Sequence, residues 1–380
     1  MIALPPDLRT SLAASGRDLK IVIIRLGAMG DVLRTLPPVR LLRSALPLAS
    51  IVWIVERPWD CLLDGHVDID EVRIAPRREW QRLSRSPREW PRLLAALRAF
   101  RGELAAIRAD LAIDFHGNLR SGWVAAWSKA PVRLGYAGHQ QKEGNRWFTT
   151  HRVGAADRRT PRMERNLALI RALGLPDGPL PGGALPLVAA GRAAADAVAA
   201  ALPARVGGLA VLSPGSSVRQ AYKRPPVELL ATACRRLVEL DLTPLVVWGP
   251  GEQADAAAVI QRSAGTAVLA PPTGLAALAA LLDRARIFIG GDTGPLHMAC
   301  AVGCPVVGIY GPTDPRVNRP WGVTHRVVAP ADRRYTGIKR IDRAAGGFAG
   351  ITAAQIESAV DELLAGERGR NRPLVPSQPV

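Results

Sequence analysis

The chain has 380 residues, 48% of them hydrophobic and 22% charged, with a formal net charge of +17 at pH 7. That balance excludes a disordered chain, and no apolar run reaches the ~18 residues of a membrane-spanning helix. At roughly 150 residues per domain, the length suggests two domains.

The first 20 residues, MIALPPDLRTSLAASGRDLK, lack the long apolar stretch of a secretory signal. KIVIIRL, from Lys20 to Leu26, reads as a buried strand from its β-branched content. GDVLRTLPPVRLLRSALP follows as a helix that Pro37 and Pro38 bend or restart, and ASIVWIVE is a second strand. From Arg73 to Phe100 eight Arg and two Glu are interleaved with Trp80, Trp90 and several Leu. Such a segment reads either as a solvated helix packed on its own domain or as a face for an anionic membrane. Ala109 to Gly117 is a later strand ending in a polar turn.

Gly174 to Arg192 is rich in Gly and Pro and reads as a linker. Beyond it, strand and helix alternate again, through GLAVLSPGSS, TPLVVWGPGEQADA, ARIFIGGDTG and CPVVGIYGPTDP. ITAAQIESAVDELLAG is a final amphipathic helix, and the last residues read as a disordered tail. Twofold alternation of this kind predicts α/β architecture: two doubly wound, Rossmann-like domains with ligands at the carboxyl edges of their sheets.

The four cysteines, Cys61, Cys234, Cys300 and Cys304, are too few for a disulfide framework. Cys300 and Cys304 have no second pair nearby to complete a zinc site, so the pattern points to no metal and to a reducing cytoplasm. The basic excess is concentrated in the first half. Residues 1–180 carry 29 basic and 18 acidic side chains, against 21 and 15 in the remainder. Such a surface attracts nucleic acid, anionic lipid or a phosphorylated sugar.

Four constellations carry candidate chemistry. In RLGAMGDVLRTLP, Gly27 and Gly30 allow a tight turn, but Met29 breaks the G-x-G-x-x-G fingerprint of a dinucleotide fold. Asp31 at the start of the following helix is either its N-cap or a general base, and spacing alone leaves both open. In SPGSSVRQAYKRPP, Ser216, Ser217, Arg219, Lys223 and Arg224 at one strand end favour a phosphate or pyrophosphate over a generic turn. In GGDTGPLHMACAVGCPVVGIYGPTDP, Asp292 and Thr293 can cap a helix whose first N–H groups hold a second phosphate oxygen, with His297 one turn in. In WGPGEQADA, Glu252 beyond a Gly loop suits ribose hydroxyls.

Taken together, GDVLRTLP, DFHGNLRSG, RLGY, SPGSS with Lys223, WGPGE and the GGDTGPLHMACAVGCPVVGIYGPTDP block resemble glycosyltransferase family 9, the ADP-heptose:lipopolysaccharide heptosyltransferases. The likeness spans about Lys20 to Leu364. It implies a GT-B fold of two Rossmann-like domains facing a cleft. The acceptor domain would be 1–175, the linker 176–192, the nucleotide-sugar domain 193–348, a helix at 349–366 crossing back to the N-terminal domain, and a flexible tail 367–380.

The resemblance implies inverting transfer of heptose from ADP-heptose to an inner-core sugar of lipopolysaccharide, Kdo or heptose, with Asp31 as base. Ser216, Ser217, Lys223, Asp292, Thr293 and Gly294 would meet the donor phosphates, and Glu252 and Thr273 the nucleoside. Gly30, His116, Asn118, Arg120, Arg133 and Lys142, with Arg146, would meet the anionic acceptor, and His297 would lie near the cleft. No metal or other cofactor would be required, with stimulation by a divalent ion left open. The enzyme would be cytoplasmic and peripheral on the inner leaflet, with no nucleic-acid partner.

Four other functions compete with this one. A family 9 transferase with another acceptor, glycan or protein, fits the residues equally well. The G-D-V motif disfavours epimerisation of a nucleotide sugar. Aromatic residues at 5% of the chain, with no RNA-binding motif, disfavour a nucleic-acid-binding protein. The broken glycine fingerprint weakens a dehydrogenase.

Overall fold

The structure, a computed structural model, describes residues 5–14, 18–154, 157–175, 185–331 and 347–366. The chain divides into two compact units, Met1–Pro181 and Gly182–Val380. Residues 176–184 of the expected linker and the expected tail 367–380 lie outside the described residues.

The N-terminal unit runs α1 (Pro6–Ala13), β1 (Lys20–Ile24), α2 (Met29–Leu33), α3 (Leu36–Ala45), β2 (Ser50–Val55), β3 (Glu71–Ile74), α4 (Arg77–Leu83), α5 (Trp90–Ala106), β4 (Leu111–Asp114), α6 (Leu119–Trp127), β5 (Val132–Tyr136), β6 (His151–Val153) and α7 (Arg162–Arg171). The C-terminal unit runs α8 (Ala189–Ala200), β7 (Gly208–Ser213), α9 (Val227–Glu239), β8 (Leu242–Val246), α10 (Gln253–Arg262), β9 (Val268–Leu269), α11 (Leu275–Arg284), β10 (Ile287–Gly291), α12 (Gly294–Val302), β11 (Val306–Ile309), α13 (Pro315–Asn318), β12 (His325–Val328) and α14 (Ala353–Gly366).

Each unit holds one six-stranded sheet with every pairing parallel, in the orders β3-β2-β1-β4-β5-β6 and β12-β11-β10-β7-β8-β9. Parallel sheets covered on both faces need strands that are apolar along their length. β1, with four of its five residues buried, and β7, buried throughout, meet that need. Both sheets reverse strand order beside their first strand, between β1 and β4 and between β7 and β10. Loops that leave the carboxyl ends of such a pair splay apart and leave a ligand crevice. Topology alone thus marks one site in each unit.

Local sequence explains two helix boundaries. α2 ends at Leu33, and α3 restarts at Leu36 with Pro37 in its first turn, where a missing N–H costs nothing. α8 begins at Ala189, inside the expected linker, because an Ala-rich run carries the helix to Ala200.

The last helix differs from what the resemblance implied. Ile356, Ala359, Val360 and Leu363 of α14, spaced along one helical face, are buried in the core of the C-terminal unit with Leu230, Leu237 and Ile309. Arg236 of α9 grips Asp361 with two hydrogen bonds of 2.8 and 2.9 Å, and Arg326 holds Glu362 at 2.9 Å. The helix that was expected to cross back therefore packs on its own unit. Its apolar stripe and its acidic edge both have matched partners there.

The basic Arg73–Phe100 segment divides between its two readings. Trp80 packs edge-on against Phe100 and Trp127, with ring centroids 5.3 and 6.4 Å away, and Leu83 is buried. Trp90 and Leu94 on α5 remain about half exposed, at 53% and 49%. Among the described residues no helix is long and apolar enough to cross a membrane.

Candidate functional site

At the N-terminal switch point, β1 delivers Arg25 and the turn that begins α2, and β4 delivers Phe115 and His116. The N-cap of α2 is Ala28, so Asp31 sits in the first turn rather than at the cap. Its carboxylate is instead held by three guanidinium groups. Arg25 Nη2 lies 2.5 Å from Oδ2, and Arg34 Nη1 and Arg162 Nη1 lie 2.9 and 3.3 Å from Oδ1. Arg25 also donates to the Phe115 carbonyl, which ties the β1 and β4 loops together.

Burial alone would raise the Asp31 pKa, but the charges of Arg25, Arg162 and Arg34, with a smaller effect from His116, hold the carboxyl far below the usual carboxylate range. The cluster remains cationic, because one carboxylate faces three guanidiniums. Arg25 and Arg34 are buried, with side chains 10% and 7% exposed, whereas Arg162 is 34% exposed and makes the longest contact.

His116 belongs to the same electrostatic group. Burial, and then the charge of Arg25, push its pKa down to about 3 against the opposing pull of Asp31. Its Nδ1 is buried with no hydrogen-bond partner among the described residues. The imidazole is therefore neutral at physiological pH.

The loop carrying His116 is shaped by Asp114, which is fully buried. Asp114 accepts from His116 N–H at 2.8 Å, Gly117 N–H at 3.0 Å, Ser121 Oγ at 2.7 Å and Asn145 Nδ2 at 2.7 Å. Burial raises its pKa and these donors oppose the rise. Asn118 N-caps α6 in a reciprocal capping box with Ser121. Lys142 N–H donates to the Gly117 carbonyl at 2.8 Å, and its ammonium charge is felt by His116. Arg120 pairs with Glu56 at the end of β2, which also takes Arg77 at 3.2 Å.

At the C-terminal switch point the chemistry differs. The loop after β7 carries Ser216, Ser217 and a short 3-10 turn ending at Lys223, and the loop after β10 carries Asp292 and Thr293. Lys223 Nζ lies 3.2 Å from the Asp292 carbonyl and 3.4 Å from its carboxylate. Asp292 also meets His297 Nε2 at 3.2 Å. This close approach requires Gly291, where a Cβ would fall 2.7 Å from the Lys223 carbonyl.

Thr293 is the N-cap of α12 but makes no side-chain cap hydrogen bond, and the Asp292 carboxylate is engaged with Lys223 and His297. Thr293 therefore does not cap the helix through its side chain as expected.

Glu252 stands over the same loop. It accepts from Gly249 N–H at 2.8 Å, and Gly215 lacks the Cβ that would otherwise fall 1.8 Å from its Oε2. Ser216 Oγ donates to the Gln220 carbonyl at 2.8 Å, while Arg224 bridges Asp255 and the Ser216 carbonyl at 2.6 and 2.7 Å.

The structure therefore gathers Asp31 and His116 at one switch point, and Ser216, Lys223, Glu252, Asp292, Thr293 and His297 at the other. Ser217 and Gly294 sit beside the latter group by chain position, as Gly30 does beside Asp31. Thr273 lies in the loop between β9 and α11 with its hydroxyl donated to the Pro271 carbonyl. Arg133 donates to the Ala130 and Phe148 carbonyls at 2.7 Å each, a brace within the unit. His297 is buried, 2% exposed.

Sequence reasoning did not single out Arg25, Arg34, Arg162, Asp114, Asn145 or Glu56. Arg34 follows Asp31 by three positions on a helix, a readable signal. Arg162 comes from α7, 131 residues away, and left none.

Residues 97–343 match the family model of glycosyltransferase family 9 (heptosyltransferase). The chain is 34% identical to lipopolysaccharide heptosyltransferase 3 of Escherichia coli, over a match spanning 31% of this chain and 37% of that relative. That match spans only about a third of the relative's length. It is also 27% identical to lipopolysaccharide heptosyltransferase 1 of Pseudomonas aeruginosa, over 80% of this chain and 82% of the relative. The structure is similar in fold to E. coli heptosyltransferase WaaC solved with ADP-2-deoxy-2-fluoro heptose. The TM-score is 0.69 at 22% identity, over 90% of this chain and 99% of the other.

Proposed function

The chain belongs to glycosyltransferase family 9, the heptosyltransferases, and from that membership we propose that it transfers a heptose from ADP-heptose to an inner-core sugar of lipopolysaccharide, with inversion. The similar E. coli enzyme solved with an ADP-heptose analogue, and the lipopolysaccharide heptosyltransferases among its relatives, support the donor and acceptor classes. The observations that carry the reading are, within the C-terminal unit, the Lys223 ammonium beside the start of α12 and, within the N-terminal unit, the ionised Asp31 carboxylate.

In the proposed reaction the acceptor hydroxyl oxygen attacks the anomeric carbon as the bond from that carbon to the ADP phosphate oxygen breaks. The hydroxyl proton passes to Asp31, and ADP leaves with the bonding pair. Lys223 and the first turn of α12 stabilise the charge that grows on the leaving diphosphate. Glu252 accepts from the ribose hydroxyls.

Three arginines make Asp31 a weak base in the ligand-free protein. The acceptor is anionic, so its carboxylate or phosphate competes for Arg162, the most exposed of the three. Drawing that guanidinium away raises the basicity of Asp31 when substrate is in place. Lys142 and Arg120 supply further positive charge for the same acceptor, which sits in the inner leaflet of the cytoplasmic membrane. The reaction needs no metal in this reading.

Calorimetric titration with ADP, UDP, GDP and NAD tests the donor. Selective ADP binding is expected, and preference for UDP or GDP would overturn the donor assignment. Incubation with ADP-heptose and a heptose-free lipid-linked core, followed by mass analysis of the product, tests the acceptor. Transfer to another glycan or to a protein, with none to the core, would replace it.

A further inference from the structure

Two buried polar side chains of the N-terminal unit have no task in the reaction: Tyr136, which closes β5 and the RLGY segment, and Asn166 on α7. Tyr136 Oη donates to Asn166 Oδ1 at 2.6 Å. Burial pushes the phenol well above its usual range, so the hydroxyl keeps its proton and stays a donor. Asn166 Nδ2 donates in turn to the Arg34 carbonyl at 3.0 Å, with a longer contact of 3.5 Å to Thr35 Oγ1. A carbonyl can only accept, so it fixes the amide with its nitrogen toward Arg34 and its oxygen toward Tyr136.

The segment they hold is the turn that follows the base. Arg34 and Thr35 are the two residues between α2 and α3. Thr35 is the N-cap of α3 but makes no side-chain cap hydrogen bond, and its hydroxyl donates back to the Asp31 carbonyl at 2.8 Å. Arg34 places its guanidinium 2.9 Å from the Asp31 carboxylate. Asp31 is thus held by its main chain through Thr35 and by its side chain through Arg34, and both of these residues meet Asn166.

α7 supplies the other half of the geometry. Arg162, 3.3 Å from the Asp31 carboxylate, stands four residues before Asn166, on the same face of the helix and one turn away. Met163, Leu167, Leu169 and Ile170 are buried and seat the helix in the core, so it is a rigid reference for both side chains.

We propose that Asn166, aimed by Tyr136, is a positioning residue for Asp31: it sets where the carboxylate stands against Arg162 and so the direction in which Asp31 meets the acceptor hydroxyl. The proposal rests on the reading of Asp31 as the base. A proton passes only over a hydrogen-bond distance, and a misplacement of about 1 Å can cost about a hundredfold in rate.

Steady-state transfer from ADP-heptose to the lipid-linked core, with the full chain, tests this. Asn166→Leu keeps the volume and removes both hydrogen bonds. Its kcat should fall about tenfold or more while KM for ADP-heptose stays within about twofold. Tyr136→Phe removes a single oxygen and should lower kcat severalfold in the same way. Denaturant unfolding and ADP titration report that each variant is folded, and Tyr136→Phe decides the matter where Asn166→Leu unfolds.

A double-mutant cycle with Asp31→Asn separates positioning from a general role in the core. With the carboxylate gone there is nothing left to position, so adding Asn166→Leu should cost less than about twofold more. Losses that multiply would mean that Asn166 serves the fold at large, and they overturn the proposal. So does a wild-type kcat in both Asn166→Leu and Tyr136→Phe. Either result leaves Asp31 as the base. An Asp31→Asn chain as active as the wild type, or a wild-type chain that transfers no heptose, overturns the reading of the reaction and the proposal with it.

Discussion

The two units share one strand order, yet their switch points are built for opposite tasks. Between β7 and β10, small residues and glycines press two loops together and set the Lys223 ammonium against Asp292 beside the start of α12. Between β1 and β4, large charged side chains converge on one carboxylate and leave the cluster net positive. The first arrangement suits a diphosphate, whose charge is fixed. The second suits a group that must change its proton affinity during a reaction. A fold thus sets where chemistry sits, and the loop residues set which chemistry it is.

Removing the carboxylate tests the comparison most severely. Asp31→Asn should lower turnover by about a hundredfold or more, the scale of a lost general base, and leave ADP binding near normal. Full activity in that variant would sink the assignment. The counterpart at the other switch point is Lys223→Ala. It should weaken ADP binding by about tenfold to a hundredfold, as for a lost charge-assisted hydrogen bond. An unchanged dissociation constant would remove Lys223 from the phosphate site.

Arg162→Ala sharpens the contrast with a smaller effect. If this arginine leaves Asp31 for the acceptor anion, the variant should show a severalfold higher KM for the acceptor with kcat held or raised. An unchanged KM with a lower kcat would mean that Arg162 only orients the carboxylate.

Strand and helix alternation, the glycine loops and the strand-end residues were legible because each depends on neighbours in sequence. The cluster at the β7–β10 switch point was legible for the same reason, since Ser216 to Lys223 and Asp292 to His297 are short, local motifs. The surroundings of Asp31 were not. Arg162 and Asn145 reach their partners across 131 and 31 residues, through the packing of α7 and of the turn after β5. The final helix was misplaced because amphipathicity states that a face is buried but not against what. The acidic residues Asp361 and Glu362, matched to Arg236 and Arg326, decide that question only in three dimensions. The bracing role of Arg133 was not legible, because a lone Arg on a strand carries no mark of the carbonyls it holds.

The least effect on turnover, and the clearest on pH dependence, is expected from His116. Its folded pKa is about 3 against an ordinary 6.5. Below pH 6.5 the unfolded chain takes up a proton that the folded chain refuses, so stability falls as pH falls through that window. The slope is at most about 1.4 kcal/mol per pH unit for one proton. Asp31 contributes the opposite kind of term. Its depressed pKa adds stability that is present above the ordinary carboxyl value of 3.8 and is lost only below it. Between about pH 4.5 and pH 6.5 the His116 term therefore varies and the Asp31 term is nearly constant. His116→Gln should flatten the stability curve in that window, and Asp31→Asn should lower the curve with little change of slope. Denaturant unfolding at a series of pH values reads both. A wild-type slope unchanged by His116→Gln would mean that the imidazole is protonated in the folded protein, and the cluster around Asp31 would then be more positively charged than its arginines alone make it.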